Sequence, residues 1–147
     1  MSIHYNLNAL SKKQNFTVYD LNKSHVIGSS TCNALYRHLP IQTDTLQRIL
    51  EYCDCRLKDF LRYDPETELR QEHRKIDLND MVRRGVISRT SKRRFLDCMP
   101  MSLTTLDVIA DDQGVDLLDF VREEPCWFVD SLGNLKKSRK VIYLCEW

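Results

Sequence analysis

The run Ser88-Arg89-Thr90-Ser91-Lys92-Arg93-Arg94 gathers four cations behind a serine. The spacing predicts a turn, a cap and a short helix, because the Ser88 hydroxyl can accept from a free N–H in the first helical turn. Arg83 and Arg84 lie just upstream, and no acid intervenes between Asp80 and Asp97. A guanidinium can grip a phosphate or bond guanine O6 and N7 together, so the chemistry on offer is recognition of a polyanion. Bond-making chemistry has no comparable signature. There is no phosphate-binding loop, no Ser/His/Asp or Cys/His spacing and no pair of carboxylates sharing a cleft, so the chain does not read as an enzyme.

The other reactive side chains fit the same picture. Cys32, Cys53, Cys55, Cys98, Cys126 and Cys145 include no C-x-x-C pair. Cys53-Asp54-Cys55 is too cramped for zinc, and the thiols read as structural ones in a reducing cytosol. His4, His25, His38 and His73 are scattered and read as surface residues. No metal or cofactor is expected. No signal peptide and no bilayer-spanning apolar run is present, so the chain reads as cytoplasmic with no membrane partner.

The elements that must position the basic run occur twice. Sliding the sequence by sixty aligns Phe16–Pro65 with Ile76–Pro125 without a gap. Twelve positions are identical, among them Asp20/Asp80, Ile27/Ile87, Pro40/Pro100, Leu46/Leu106, Ile49/Ile109 and Phe60/Phe120. Chance would supply roughly three, so the chain reads as a tandem pair of small domains. A unit this short is marginal alone and should pack on its twin. Charge is distributed unevenly: residues 63–125 hold 10 basic and 14 acidic groups, with the bases at 83–94 and acids at Asp107–Glu124. Such polarity would orient a charged partner.

In each copy the apolar periodicity predicts five short helices. In the first they are Tyr5–Lys13, Val18–His25 behind Thr17, Ser29–His38, a helix capped by Asp44, and Leu57–Arg62. Two of them meet across a tight turn, which describes a helix-turn-helix. Residues 126–147 change character: Trp127-Phe128-Val129 and Val141–Leu144 flank the turn Asp130–Asn134 and predict a β-hairpin with a basic arm. The hairpin reads as a clasp on the second domain, a wing touching phosphates, or an edge for a homodimer. The expected fold is therefore mainly α: helix-turn-helix domains at 1–64 and 65–125, then the hairpin at 126–147.

Tyr5-Asn6-Leu7, Leu21-x-Lys23, Ser30-Thr31, Leu35-Tyr36, Thr45-Leu46 and Cys55-x-x-x-Asp59-Phe60-Leu61 resemble the Cro and phage-repressor (XRE-like) helix-turn-helix family. The resemblance covers about the first 63 residues and extends more weakly through the repeat. It implies binding of duplex DNA, with the third helix in the major groove. The implied DNA-binding residues are Ser29, Ser30, Asn33 and Arg37 in the first copy, and Arg89, Thr90, Arg93 and Arg94 in the second. Lys136 and Lys140 on the hairpin are candidate phosphate contacts. Val26 and Val86 stand where the family favours glycine, and Lys92 where it buries an aliphatic. Either the Lys92 stem snorkels out of the core, or the second turn is shifted by one residue with Gly85 as its glycine. The function implied is a prokaryotic or phage transcription regulator acting as a covalent pseudo-dimer. The alternative is an interaction or inhibitor protein, of the phage anti-host-defence type, that reuses the fold to bind a protein or RNA.

Overall fold

The computed structural model describes residues 3–10, 17–65 and 75–147. Strand β1 (Ile3–Tyr5) is followed by α1, described at residues 8–10. Then come α2 (Val18–Lys23), α3 (Ser29–Tyr36), α4 (Thr43–Cys53), α5 (Leu57–Phe60) and β2 (Leu61–Tyr63). The second half runs α6 (Leu78–Arg83), α7 (Arg89–Leu96), α8 (Leu103–Gln113), α9 (Leu117–Phe120), β3 (Val121–Val129) and β4 (Leu135–Tyr143). Every helix from α2 to α5 recurs sixty residues later at the same length. The left-handed backbone positions recur as well: His25 and Gly85, His38 and Cys98, Asp54 and Gly114.

Local chemistry sets the helix starts. Thr17 closes a capping box on α2: its hydroxyl accepts from the Asp20 N–H at 3.2 Å, while the Asp20 carboxylate accepts from the Thr17 N–H at 2.9 Å. Asp77 caps α6 through the Asp80 N–H at 3.0 Å, and Ser88 caps α7 through the Ser91 N–H at 3.0 Å. Gly28, the cap position of α3, has no side chain to offer. The interior stripes bury Leu21, Leu35, Leu46, Ile49 and Phe60 in the first unit, and Met81, Phe95, Leu106, Ile109 and Phe120 in the second. All belong to one continuous core.

Several sequence expectations are corrected. Tyr5 does not open a helix: Ile3, His4 and Tyr5 pair antiparallel with Tyr63, Arg62 and Leu61. The expected first helix beyond Leu10, the break at Asn15-Phe16, and His73 lie outside the described residues. Helix α5 stops at Phe60 rather than Arg62, because the Phe60 carbonyl accepts from the Asn6 N–H at 2.7 Å and the chain turns extended at Leu61. The cap of α4 is Gln42, not Asp44, which sits in the first turn. The hairpin starts at Val121, within the span assigned to the second domain, since nine residues of β3 pair in register with β4.

That hairpin also completes the second unit. Val121, Arg122 and Glu123 pair with Tyr143, Ile142 and Val141 just as β2 pairs with β1. The Leu144 N–H bonds the Phe120 carbonyl at 2.8 Å, matching Asn6 on Phe60. The first unit thus begins with its edge strand, whereas the second receives its equivalent strand from the far end of the chain.

The two units meet at equivalent positions. Gln42 and Ser102 form an antiparallel bridge, with Thr43 N–H donating to the Met101 carbonyl at 2.8 Å and Leu103 N–H to the Ile41 carbonyl at 2.9 Å. The two hydrogen bonds thus form a symmetric exchange about Gln42 and Ser102, positions sixty residues apart. Buried Thr43 adds a three-way polar node: its hydroxyl lies 2.6 Å from the Tyr143 hydroxyl and accepts from the Met101 N–H at 3.0 Å.

Candidate nucleic-acid interface

In each unit a short helix is followed by a five-residue turn, 24–28 or 84–88, that swings the chain into the next helix. The Ser24 N–H still bonds Asp20, and the Val26 N–H folds back to the Leu21 carbonyl at 3.0 Å. The equivalent bond from Val86 to Met81 is 2.9 Å. The reversal needs one left-handed residue, which is His25 (φ 61°) in the first unit and Gly85 (φ 76°) in the second. The two alternatives for the second turn thus resolve jointly. The register is not shifted, and Gly85 is the turn glycine, one place before Val86. Lys92, at the position of Cys32, is half-buried and lines one groove with Val82 and Leu96, which fits a stem that snorkels.

The structure leaves the expected reader residues on the outer faces of α3 and α7. Ser29, Ser30 and Asn33 are exposed on α3, and Arg37 is its exposed C-cap. Arg89, Thr90, Arg93 and Arg94 are exposed on α7. Arg93 has only a loose pairing with Asp97 at 3.8 Å, with 85% of its side chain exposed. Among the described residues, no carboxylate lies within ion-pair distance of Arg89, Lys92 or Arg94. A groove between α6 and α7 is lined by Asn79, Arg83, Arg89, Lys92 and Arg93. At matching places of the first unit stand Tyr19 and Tyr36, both well exposed.

Arg84 of the expected cluster and Lys136 of the hairpin have partners of their own. Arg84 turns away from the α7 cations: its Nη1 and Nη2 donate to Asp112 Oδ1 and Oδ2 at 3.0 and 2.7 Å, and its Nε to Asp80 Oδ2 at 2.8 Å. These bonds, the one to Asp112 first, raise its already high pKa further. The same contacts, Arg84 before Arg83, hold Asp80 below the usual carboxylate range. The Asp80–Arg84 spacing was legible as an i,i+4 pair; the partner on α8 was not.

Strand β4 lies along α4: Val141 N–H donates to Gln47 Oε1 at 3.0 Å, Ser138 and the Arg139 N–H bond Glu51, and the Arg139 guanidinium bonds Asp54 and the Cys55 carbonyl. Lys136 is paired with Asp130 at 3.3 Å, and Lys140 is exposed opposite Glu124. Beyond this seat the hairpin projects Trp127, Val129, Leu132 and Leu135 into solvent.

The fold defines the class, a protein with a helix-turn-helix domain whose α3 and α7 present exposed faces. Residues 6–66 match the family model of the Cro/C1-type helix-turn-helix DNA-binding domain. No curated protein and no solved structure matches the chain. The first unit is thus similar to a DNA-binding module, as its motifs implied, and the match stops short of the second unit. Among the described residues, no helix is long and apolar enough to cross a membrane.

Proposed function

We propose that the chain is a DNA-binding transcription regulator of prokaryotic or phage type that acts in the cytoplasm as a covalent pseudo-dimer, without catalysis. One observation carries the pseudo-dimer reading: the Gln42–Ser102 bridge joins equivalent positions of the two units. A symmetric relation of this kind lets α3 and α7 address half-sites one helical turn apart, about 34 Å. The uncapped, uncharged α3 supplies Ser29, Ser30 and Asn33, of which Asn33 suits adenine; α7 supplies Arg89, Thr90, Arg93 and Arg94, which suit guanine and phosphate. Most affinity is assigned to α7. Because the readers differ, the site is asymmetric.

Selection of bound sequences from random duplexes, followed by a salt titration, tests this. The expected result is an asymmetric site and a slope of log affinity against log salt of about −4 to −5 for five or so neutralised phosphates. A slope near zero rejects duplex DNA as the ligand. A perfectly palindromic site rejects the pseudo-dimer in favour of a homodimer that reads with a single unit.

A second reading has its own observation. Trp127, Val129, Leu132 and Leu135 are 63–84% exposed on a projecting hairpin, and clustered apolar surface of this kind marks protein contacts. It favours the interaction-protein alternative, including a homodimer through the hairpin.

A further inference from the structure

The turn of each unit is tied to the long helix behind it by the same pair of positions, using different chemistry. In the first unit, Ser24, the C-cap of α2, receives the Tyr52 hydroxyl at 3.0 Å. In the second, Arg84, the C-cap of α6, forks onto Asp112. Each member lies sixty residues from its counterpart. The second tie is the more extended one. Gln113, buried at the end of α8, donates from Nε2 to Asp112 Oδ2 at 2.8 Å and accepts on Oε1 from the N–H of Asp77, the N-cap of α6, at 3.2 Å. Both ends of the six-residue α6 are therefore held on the last turn of α8. Helix α7 follows α6 through a short turn, so its pose is set by this frame.

We propose that Arg84 and Asp112 are positioning residues that fix the pitch of α7 for reading DNA, and that Arg84 does not itself contact phosphate. The proposal rests on the DNA reading above. Its basis is geometric: a bidentate guanidinium–carboxylate pair has one favoured orientation, and a reader displaced by about 1 Å loses its productive geometry. The first unit holds α3 through a neutral hydroxyl pair. The second unit's tie is an ionic one.

Three variants of the full chain test this on the selected duplex: D112N, R84A and the transplanted tie R84S/D112Y. Circular dichroism checks that each is folded. Asp112 carries the same charge sign as DNA, so D112N separates the two roles. If Arg84 positions α7, D112N weakens binding about tenfold with the salt slope unchanged. R84A does the same, and base preference relaxes in the half-site read by α7 only. The double variant recovers at least part of the affinity, because the matching pair serves the first unit. If Arg84 instead contacts phosphate, D112N binds as well as the parent or tighter, and R84A flattens the salt slope by about one unit. Either of those results overturns the proposal while leaving the DNA reading intact. A parent chain that binds no duplex at all overturns both.

Discussion

Tyr5 and Tyr143 occupy the same place in the two units although they lie near opposite ends of the chain. The Tyr5 hydroxyl donates to the Leu39 carbonyl at 2.6 Å, and the Tyr143 hydroxyl to the Met99 carbonyl at 2.9 Å, sixty residues on. Both are buried, which pushes Tyr143 up to about 12. Each ring stacks on a core phenylalanine, Phe60 for Tyr5 and Phe95 for Tyr143. The last residues of the chain therefore serve as the first strand of the second unit.

Ending the chain at Lys140 should accordingly unfold the second unit. Val141 and Tyr143 are core side chains, and losing each costs roughly 2–5 kcal/mol out of a total of about 5–15 kcal/mol. Urea unfolding should show a much lower midpoint and loss of the near-ultraviolet signal of the buried aromatics. A truncated chain with the parent's midpoint would show that the hairpin is an accessory.

The left-handed turn residue gives a paired prediction. Nothing lies within 4 Å of a Cβ built on Gly85, so G85A should cost only backbone strain, about 1–2 kcal/mol. His25 already bears that strain at φ 61°, and H25G should therefore be neutral or stabilising. G85A should lower the urea midpoint, whereas H25G should leave it unchanged or raise it, strain relief being offset in part by the extra unfolded-state freedom of glycine. A destabilising H25G would mean that the His25 side chain holds the turn by contacts of its own.

Acidity should act through Glu123. Its carboxyl is raised above the usual range, mainly by burial, against the opposing bond it accepts from the Leu57 N–H at 2.5 Å. Between the unfolded value of about 4.3 and the raised folded value, the folded state holds more protons. Stability therefore falls as pH rises through that window and stays at its lower level above it. Asp80 runs the other way: held low by Arg84 and then Arg83, it contributes above the unfolded value and is lost as pH falls through its folded one. E123Q keeps an oxygen for Leu57 and removes the half-buried charge. At neutral pH it should be at least as stable as the parent, with a flatter profile above the unfolded carboxylate value. Lower stability of E123Q at neutral pH would contradict this account.

On DNA, R89A and R93A should each cost about 1–3 kcal/mol and relax preference at one base pair. Both side chains are exposed, so the fold should persist. K140A should weaken all sequences alike and flatten the salt slope by about one unit. K136A should leave the slope unchanged, because Lys136 is engaged by Asp130. Parent-like binding by both arginine variants would assign the cationic face to a protein or RNA partner.

The sequence by itself determined whatever depends on residues close along the chain. The caps Thr17 and Ser88, the interior phases of Leu21, Leu35, Leu46 and Ile49, and the outward arginines of α7 all follow from helical period and hydrogen-bonding capacity. So does the sixty-residue offset, which the helix lengths repeat. Tertiary structure decided the rest, because the deciding contacts join residues far apart. Tyr5 left its expected helix because a strand forms only where Leu61–Tyr63 offers a ladder. Arg84, counted among the basic residues, became a tie because folding brings Asp112 within hydrogen-bonding distance. A hairpin that read as a clasp, a wing or a dimer edge contributes core side chains to the second unit, since only folding returns Val141–Tyr143 to Val121–Glu123. Periodicity fixes which face of an element is apolar; what covers that face depends on three-dimensional proximity, which no local pattern encodes.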